Sequence, residues 1–402
     1  MKICFISPQT PYLEHINSPP LNLLYLNSYL KIHCYNDTQV IDLNIEGNEN
    51  IPEADVYAIS ATTPQFPYAL ELLELPMIRN GTTIIGGAHA TALPDSCSSF
   101  DNVIIGDGEI ALLQCLNDIE KAKERKNSNK DRRHIYIGSQ VANIDDLPMP
   151  NRNDINVRKY NYFIDDKLST IAITSRGCPF SCSFCQKTNN NVRFHSTEYV
   201  LKELQHLISC GCEGVDFQDN VFTMRNNLLS LDILKKMVWR CQIRADEKIK
   251  NISLLEKIGC KHVLSGIESG SQKILDIVNK KIDIKKVPDL VKECKSRDIE
   301  FRALMIIGLP SETHETVNQT IEFLREIEPD SVGIGTFVPY PGTYIYNNIE
   351  NFDIKIKEGY EKDYKKWFFR TRRGEYNCIV STSGLTSQEI LEYRNKIDRE
   401  FN

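Results

Sequence analysis

Three cysteines, Cys178, Cys182 and Cys185, lie close together in one short loop. Three residues separate the first two, two residues separate the last two, and no fourth cysteine follows within the loop. Thiolate sulfur suits zinc and iron–sulfur clusters, and closed sites of either kind usually take four protein ligands. Three thiolates can hold a cubane cluster and leave one iron open to a ligand that is not protein. An open iron indicates catalysis rather than electron storage alone.

The CxxxCxxC spacing of this loop resembles the cluster-binding loop of the radical S-adenosylmethionine (SAM) enzymes. The resemblance implies a 4Fe-4S cluster whose open iron is chelated by the amino and carboxylate groups of SAM. Phe184 matches the aromatic residue that usually precedes the third cysteine and lies near the adenine. Two alternatives are a zinc knuckle with a distant fourth ligand and three buried thiols that bind no metal.

The composition is that of a soluble globular protein, because 41% of the 402 residues are hydrophobic and 25% are charged. This length predicts two or three domains, and the net charge of −6 gives no general attraction to nucleic acid or membrane. The 13 cysteines are spread along the chain, which argues against a disulfide framework. No stretch has the length of a signal peptide core or a membrane span. We therefore expect a cytoplasmic protein.

Short apolar runs alternate with helical patterns over residues 1–143, which predicts a doubly wound α/β domain with a parallel sheet. Ligands of such sheets lie beyond the carboxyl ends of the strands. Small and polar residues that follow the predicted strands are candidates for a cofactor site: Pro8, Ser60, Thr62, Thr63, Gly86, Gly87, His89, Gly106, Gly108 and Glu109. From the residues alone, a nucleotide, a flavin or merely a tight turn would explain such a pattern.

Residues 19–26, 86–91 and 106–109 resemble the cobalamin-binding domain that precedes many radical SAM domains. The resemblance implies a Rossmann-like cobalamin-binding domain whose cofactor contacts are the candidates above. Related domains place a histidine under cobalt within a DxHxxG motif, but residues 42–47 have Asn44 in that position. We therefore predict base-off cobalamin with no protein His ligand, and His89 as a pocket residue. The alternatives are a core or capping role for His89 and a sheet that no longer binds corrin.

A charge-rich stretch at 120–133 and a proline-punctuated connector at 144–150 follow. Residues 120–133 carry charges of both signs, which favours a solvated helix end over a nucleic-acid patch.

We place a cobalamin-binding domain at 1–143, a linker at 144–165, a radical SAM barrel at 166–346 and a C-terminal extension at 347–402. Six strands that alternate with helices predict a partial (β/α)6 barrel that is TIM-like but open on one side. One of these helices is expected near 226–235.

Chemistry in such barrels lies at the carboxyl ends of the strands, and here those ends are polar or rich in glycine and proline. An arginine and carboxylates at one mouth can pair with the charged groups and ribose of SAM. The family resemblance implies the following SAM-site residues: Arg244 and Glu268 as contacts, Gln218 and Asp219 at the amine, and Ile307, Gly308 and Pro339 around the adenine. Asp246 and Glu312 are expected to be helix caps or salt-bridge partners.

These resemblances imply a cobalamin-dependent radical SAM methyltransferase, which methylates an unactivated carbon through a 5′-deoxyadenosyl radical and methylcobalamin. Alternatives are ring contraction, cyclisation or epimerisation with the same cofactors, and a cluster-bearing sensor or binding protein without catalysis. We expect a small-molecule or peptide substrate, an external electron donor of flavodoxin or ferredoxin type, a monomer, and no membrane or nucleic-acid partner. The aromatic and arginine-rich segment 367–373 is expected either to contact substrate or to seal the barrel.

Overall fold

The computed structural model describes residues 1–10, 18–124, 134–186, 191–225, 227–368 and 376–402. The chain divides into two compact units, Met1–Asn161 and Tyr162–Asn402. The linker that we predicted over 144–165 crosses this division, with most of its residues in the first unit. No helix in the described part of the chain has both the length and the apolar composition needed to cross a membrane.

The first unit is built on a six-stranded sheet in the order β2-β1-β3-β4-β5-β6. All of its neighbouring strands are parallel. The strands are β1 Ile3–Ser7, β2 Thr38–Asp42, β3 Val56–Ser60, β4 Thr82–Gly86, β5 Asn102–Ile105 and β6 His134–Ile137. The helices are α1 Leu21–Ile32, α2 Phe66–Leu72, α3 Pro76–Asn80, α4 Ala88–Ala92 and α5 Gly108–Glu124. The strand order reverses between β1 and β3, and ligands of such sheets bind at that point.

The core of the first unit lies between this sheet and helices α1 and α5. Phe5 of β1, Leu24 of α1 and Leu112 of α5 belong to one buried apolar cluster. Helix α1 begins directly after Pro19-Pro20, where the missing proline N–H groups cost no helical hydrogen bond. The packing of these apolar faces holds the carboxyl ends of the strands in fixed positions.

The second unit is built on a seven-stranded curled sheet in the order β15-β14-β13-β12-β11-β8-β7. Its strands are parallel except for the β7–β8 hairpin. The strands are β7 Phe163–Ile164, β8 Lys167–Ala172, β9 Ser175–Arg176, β10 Arg193–Phe194, β11 Gly214–Phe217, β12 Val238–Arg244, β13 His262–Glu268, β14 Glu300–Ile307, β15 Ser331–Thr336, β16 Lys355–Ile356 and β17 Val380–Ser381. The helices are α6 Thr197–Ser209, α7 Ile249–Lys257, α8 Gln272–Ile277, α9 Val287–Ser296, α10 His314–Ile327, α11 Tyr344–Asn347 and α12 Ser387–Phe401.

The helix that we expected near 226–235 is absent from the described part of that segment. The chain forms three short 3-10 helices there instead, Phe222–Met224, Leu228–Ser230 and Asp232–Lys236. Asn227 has a φ of 58°, which is left-handed and interrupts a right-handed helix. This conformation excludes Asn227 from an α-helix, and the residues after it form two separate short 3-10 helices.

The C-terminal helix α12 runs along the free edge of β15. Asn402 accepts a hydrogen bond from the Val332 N–H at 3.0 Å and donates one to the Val332 carbonyl at 2.9 Å. These bonds satisfy backbone groups that an open sheet edge would leave unpaired. Trp367 and Phe368 are buried, whereas residues 369–373 of the predicted aromatic and arginine-rich segment lie outside the described residues.

Candidate functional site

The stem of the cysteine loop is held by residues at the end of β11. The Asp219 carboxylate accepts hydrogen bonds from the Thr174 N–H at 2.9 Å, from the Thr174 hydroxyl at 2.9 Å and from the Ser175 hydroxyl. Asn220 donates to the Gly177 carbonyl at 3.2 Å, one residue before Cys178. Burial raises the pKa of Asp219. Both carboxylate oxygens of Asp219 brace this stem. The SAM contact that we expected of Asp219 stays a prediction.

The tip of the cysteine loop rests on residues 278–281, directly after α8, which we call the platform. Ser183 N–H donates to the Val278 carbonyl at 2.9 Å. Asn279 donates through its side chain to the Ser181 carbonyl at 2.6 Å. Asn279 and Lys281 have φ values of 53° and 54°, a left-handed conformation that asparagine adopts more readily than most residues. The platform therefore fixes the backbone on both sides of Cys182.

Arg244, at the end of β12, joins the platform to the loop. It donates from Nε to Asp246 at 2.7 Å, and from Nη2 to the Lys280 and Lys281 carbonyls at 3.2 and 3.1 Å. Its guanidinium carbon lies 3.6 Å from the centre of the Phe180 ring. We predicted a SAM contact for Arg244 and a salt bridge or cap for Asp246. The structure confirms the salt bridge between Asp246 and Arg244. Arg244 connects the platform to Phe180 and so helps to hold the cysteine loop in place.

Glu268 and Lys280 form a buried ion pair at the same mouth, with a distance of 2.7 Å between Lys280 Nζ and Glu268 Oε1. Glu268 has a φ of 73° and follows an irregularity in the β13–β14 ladder. Such strain in a non-glycine residue persists only where the surrounding structure enforces it, and it is common at functional sites. Lys280 Nζ also lies 5.8 Å from the centre of the Phe184 ring. The sequence analysis missed Lys280, because nothing local distinguishes it from Lys281.

The three loop thiols lie among these charges. Cys178 and Cys182 are partly exposed and Cys185 is exposed. Burial raises the pKa of Cys182 and of Cys185, and the nearby Lys280 charge opposes that rise at both thiols. Among the described residues, no three side chains of ligand type already have the geometry of a metal site. Three thiols on one anchored loop fit a cubane cluster in kind and number.

The end of β14 is a buried turn. Ile307, Gly308 and Pro339, which we predicted around the adenine, are all buried. Gly308 has a φ of 91°, and its N–H donates to the buried Glu312 carboxylate. Burial raises the pKa of Glu312 to about 8, and its Oε1 has no hydrogen-bond partner among the described residues. We expected Glu312 to be a cap or salt-bridge partner, but it is a buried brace of this turn without a cation. Gln218, at the end of β11, is exposed.

In the first unit, His89 lies in the core with both ring nitrogens engaged. It is fully buried, stacks on Phe66 at 3.9 Å between ring centres, and approaches Thr63 and Ser96 at 3.3 and 2.9 Å. The Ser96 hydroxyl donates to the Leu93 carbonyl, so His89 Nε2 carries the proton and Nδ1 accepts from Thr63. Burial lowers the pKa of His89 to about 4. His89 is therefore a neutral core histidine that holds the turn after β3.

Asn44, which takes the place of the histidine in the related motif, is also fully engaged. Its Oδ1 accepts from the Thr10 N–H and the Thr10 hydroxyl, both at 2.7 Å. Its amide donates to Asp42 at 2.7 Å. Gln65 donates to the Pro8 carbonyl at 2.8 Å and, through Oε1, accepts from Thr62. These bonds brace the chain where β1 ends, beside the point at which the strand order reverses.

The glycines at this sheet edge serve close packing. A Cβ on Gly87, whose φ is 95°, would lie 2.8 Å from the Ala61 carbonyl oxygen. A Cβ on Gly108 would lie 3.1 Å from the Leu26 side chain. Gly106 has a φ of 83°, while Gly86 leaves ordinary space around a Cβ. Ser60 accepts from Asn22, and Glu109 is buried in the first turn of α5. The fold itself explains Gly87, so that residue is no evidence for a cofactor.

Comparison with known proteins shows similarity to one family in the region of the site. Residues 172–324 match the model of the Radical SAM superfamily. An uncharacterized methyltransferase of Pyrococcus horikoshii is 28% identical over 86% of this chain and 82% of its own length. An anaerobic magnesium-protoporphyrin IX monomethyl ester cyclase of Cereibacter sphaeroides is 25% identical over 98% of this chain and 69% of its own length.

A solved structure shares the fold of almost the whole chain. The radical S-adenosylmethionine methyltransferase TsrM from Kitasatospora setae, with cobalamin and a [4Fe-4S] cluster bound, superimposes with a TM-score of 0.72. The match covers 99% of this chain and 91% of TsrM at 14% identity. This likeness confirms the predicted α/β architecture with a partial barrel.

Proposed function

We propose that this chain, whose residues 172–324 match the model of the Radical SAM superfamily, is a cobalamin-dependent radical SAM methyltransferase. The observation that carries the proposal is the three-cysteine loop, which is anchored at the strand ends beside two ion pairs, Arg244–Asp246 and Glu268–Lys280. Cys178, Cys182 and Cys185 would hold a 4Fe-4S cluster, which when bound supplies the electron that cleaves SAM reductively. The protein's part is to position the reactants and to exclude water and oxygen.

For SAM we infer that the Glu268–Lys280 pair is the principal charged contact. SAM carries an amine, a carboxylate and ribose hydroxyls, and a buried carboxylate and ammonium at the mouth match those groups. Glu268 and Lys280 form an ion pair with each other at 2.7 Å. Bound SAM would separate the two side chains and give each of them a new ion pair or hydrogen bond. Phe184 stays our candidate for the adenine side. Arg244 and Asp219 brace the backbone beside the site, and the SAM contacts expected of them stay predictions.

For the first unit we propose that it binds cobalamin base-off, without a histidine on the cobalt. His89 supports this proposal because both of its nitrogens are used inside the core. Asn44 supports it because its amide is committed to Thr10 and Asp42. The corrin would lie at the carboxyl edge of the sheet, where Ser60 and Gly86 end their strands and Thr62 follows, and it would supply the methyl group when methylated.

A second candidate reaction is favoured by one specific observation. The Cereibacter sphaeroides relative is a cyclase rather than a methyltransferase, and the match covers 98% of this chain. The same cofactor pair in this chain could therefore support cyclisation or another rearrangement. Product mass separates the two reactions, because methylation adds one carbon and cyclisation does not. An external flavodoxin- or ferredoxin-type donor, the monomeric state and our domain boundaries stay predictions.

The cysteine assignment is tested by anaerobic SAM cleavage. Cys178→Ala, Cys182→Ala and Cys185→Ala should each lose the iron–sulfur absorption and the release of 5′-deoxyadenosine. Cys210→Ala is the matched control, since Cys210 is a partly exposed thiol at the end of α6 outside the loop. Retained 5′-deoxyadenosine release in all three loop variants would rule out the proposed cluster site.

A further inference from the structure

The curled sheet of the second unit has one covered face and one accessible inner face. Along β14, Phe301 and Met305 are buried, whereas Leu304 and Ile306 alternate with them and are partly exposed. Leu264 of β13 is also partly exposed and points to the same inner face. Since successive side chains of a strand point to opposite faces, the inner face presents an apolar patch at mid-height.

Ionic groups lie on the same inner face, nearer the amino ends of the strands, and most of them pair with each other. Arg240 of β12 lies 2.8 Å from Asp216 and donates to the Tyr162 hydroxyl at 2.6 Å. His262 of β13 contacts Glu300 at 2.9 Å and Asp165 at 2.8 Å. Arg240 and Asp216 offset each other and His262 faces two carboxylates, so neither group leaves an uncompensated positive charge.

Arg302 of β14 is the exception. In the part of the chain that the structure describes, no carboxylate lies within ion-pair distance of its guanidinium. The side chain is exposed and lies across Gly333 of β15, where a Cβ would come within 3.2 Å of Arg302 Nε. Partial desolvation of the guanidinium where it packs on Gly333, together with the charge of Arg240, lowers the pKa of Arg302, while Tyr376 and the more distant Asp398 carboxylate oppose this shift. The absence of a side chain on Gly333 gives this unpaired cation its place on the inner face.

An arginine without an ionic partner next to an apolar patch is the arrangement expected of a small-molecule site, where a few polar groups orient a mainly apolar ligand.

We propose that Arg302 binds an oxyanion, a carboxylate or a phosphate-type group, of the substrate, whose carbon skeleton lies on Leu264, Leu304 and Ile306. This inference rests on the proposed function, because it assigns the substrate class of that same barrel. Arginine suits the role, since its planar donors bind carboxylate and phosphate oxygens in pairs. A neutral substrate would leave the Arg302 guanidinium without an ionic partner.

The test is the binding of small probes to the full chain loaded with cluster and cobalamin. Phenylphosphonate and phenylacetate supply the two oxyanions on an apolar ring, and benzyl alcohol is their neutral counterpart. Arg302→Gln should raise the dissociation constant of at least one of the two anions tenfold or more, and Arg302→Lys should restore part of the affinity. Arg297→Gln is the matched control, since Arg297 is an ion-paired arginine at the end of α9. Whichever anion responds identifies the oxyanion class.

Equal anion affinity in wild type, Arg302→Gln and Arg297→Gln would overturn the proposal. Benzyl alcohol binding as tightly as both anions would overturn it too. The experiment needs no turnover, so its failure differs from that of the proposed function, which would appear as missing iron, missing cobalt or uncleaved SAM. Iron content and the thermal midpoint of each variant, compared with wild type, establish that a loss of binding is not a loss of folding.

Discussion

The cysteine loop should depend on Asn279, a residue that is neither a ligand nor a SAM contact. Asn279 donates from Nδ2 to the Ser181 carbonyl at 2.6 Å and to the Ser181 hydroxyl at 3.2 Å. Asn279→Gly removes both bonds and keeps the left-handed backbone, because glycine adopts a φ of 53° without strain. The substitution therefore isolates the side-chain contact from the conformation of the platform.

The size of the effect follows from those two bonds. A hydrogen bond contributes about 1 kcal/mol net, so their loss should cost about 1–2 kcal/mol of loop anchoring. Every 1.4 kcal/mol is about a factor of ten, which converts to roughly 5- to 30-fold weaker retention of the cluster. Arg244→Gln should have a larger effect on cluster retention. It removes the hydrogen bonds to the Lys280 and Lys281 carbonyls and the contact with the Phe180 ring, and it leaves the Asp246 carboxylate without its ion pair.

The assay is the anaerobic rate of iron release to a chelator from the reconstituted enzyme without SAM. Asn161→Gly is the matched control, because Asn161 is an exposed asparagine with a φ of 49° in the first unit. Asn279→Gly should release iron several-fold faster than wild type, with an unchanged thermal midpoint of the cluster-free protein. Equal release rates in Asn279→Gly, Asn161→Gly and wild type would refute the platform as an anchor.

Two further predictions concern buried charge. Lys280→Met should weaken SAM binding by tenfold or more and lower the stability of the second unit by about 3–5 kcal/mol, because it leaves Glu268 buried and unpaired. Calorimetry with SAM measures the first effect and denaturant unfolding measures the second. Unchanged SAM affinity would contradict the assigned contact. The pKa of Glu312, about 8 in the fold against an ordinary value of 4.5, means that the folded chain keeps a proton that the unfolded chain loses between these values. The unfolding free energy should therefore fall by about 3–4 kcal/mol as pH rises from 5 to 8. Glu312→Gln should remove this slope, and a wild-type curve that is flat over this range would refute it.

The sequence predicted the cluster loop and the strand ends because both are local patterns. CxxxCxxC is read directly, and alternating apolar runs locate the strands that end at Arg244, Glu268 and Ile307. The platform could not be predicted, because Asn279 reaches Ser181 across 98 positions of the chain. Contacts of that kind depend on how the strands curl and how loops cross, and no local period encodes them.

Residue roles were less predictable than residue positions. Arg244 and Asp219 lie at the strand ends where we expected them, but their polar atoms are used by Asp246, the platform and Thr174. His89 follows β4 as expected, yet it turns into the core and stacks on Phe66. The sequence shows which residue types reach an edge, whereas the direction of each side chain depends on neighbours that are distant in sequence.

The measurement that decides the cofactor assignment most directly is a metal count on anaerobically purified protein, reconstituted with iron and sulfide, incubated with hydroxocobalamin and desalted. Iron, sulfide and cobalt are counted, and absorption and electron paramagnetic resonance are recorded with and without SAM. We predict about four irons and about one cobalt per chain, with a cluster signal that shifts when SAM is added. Iron without cobalt would contradict the cobalamin assignment, and a cluster signal unmoved by SAM would contradict an open iron that SAM chelates.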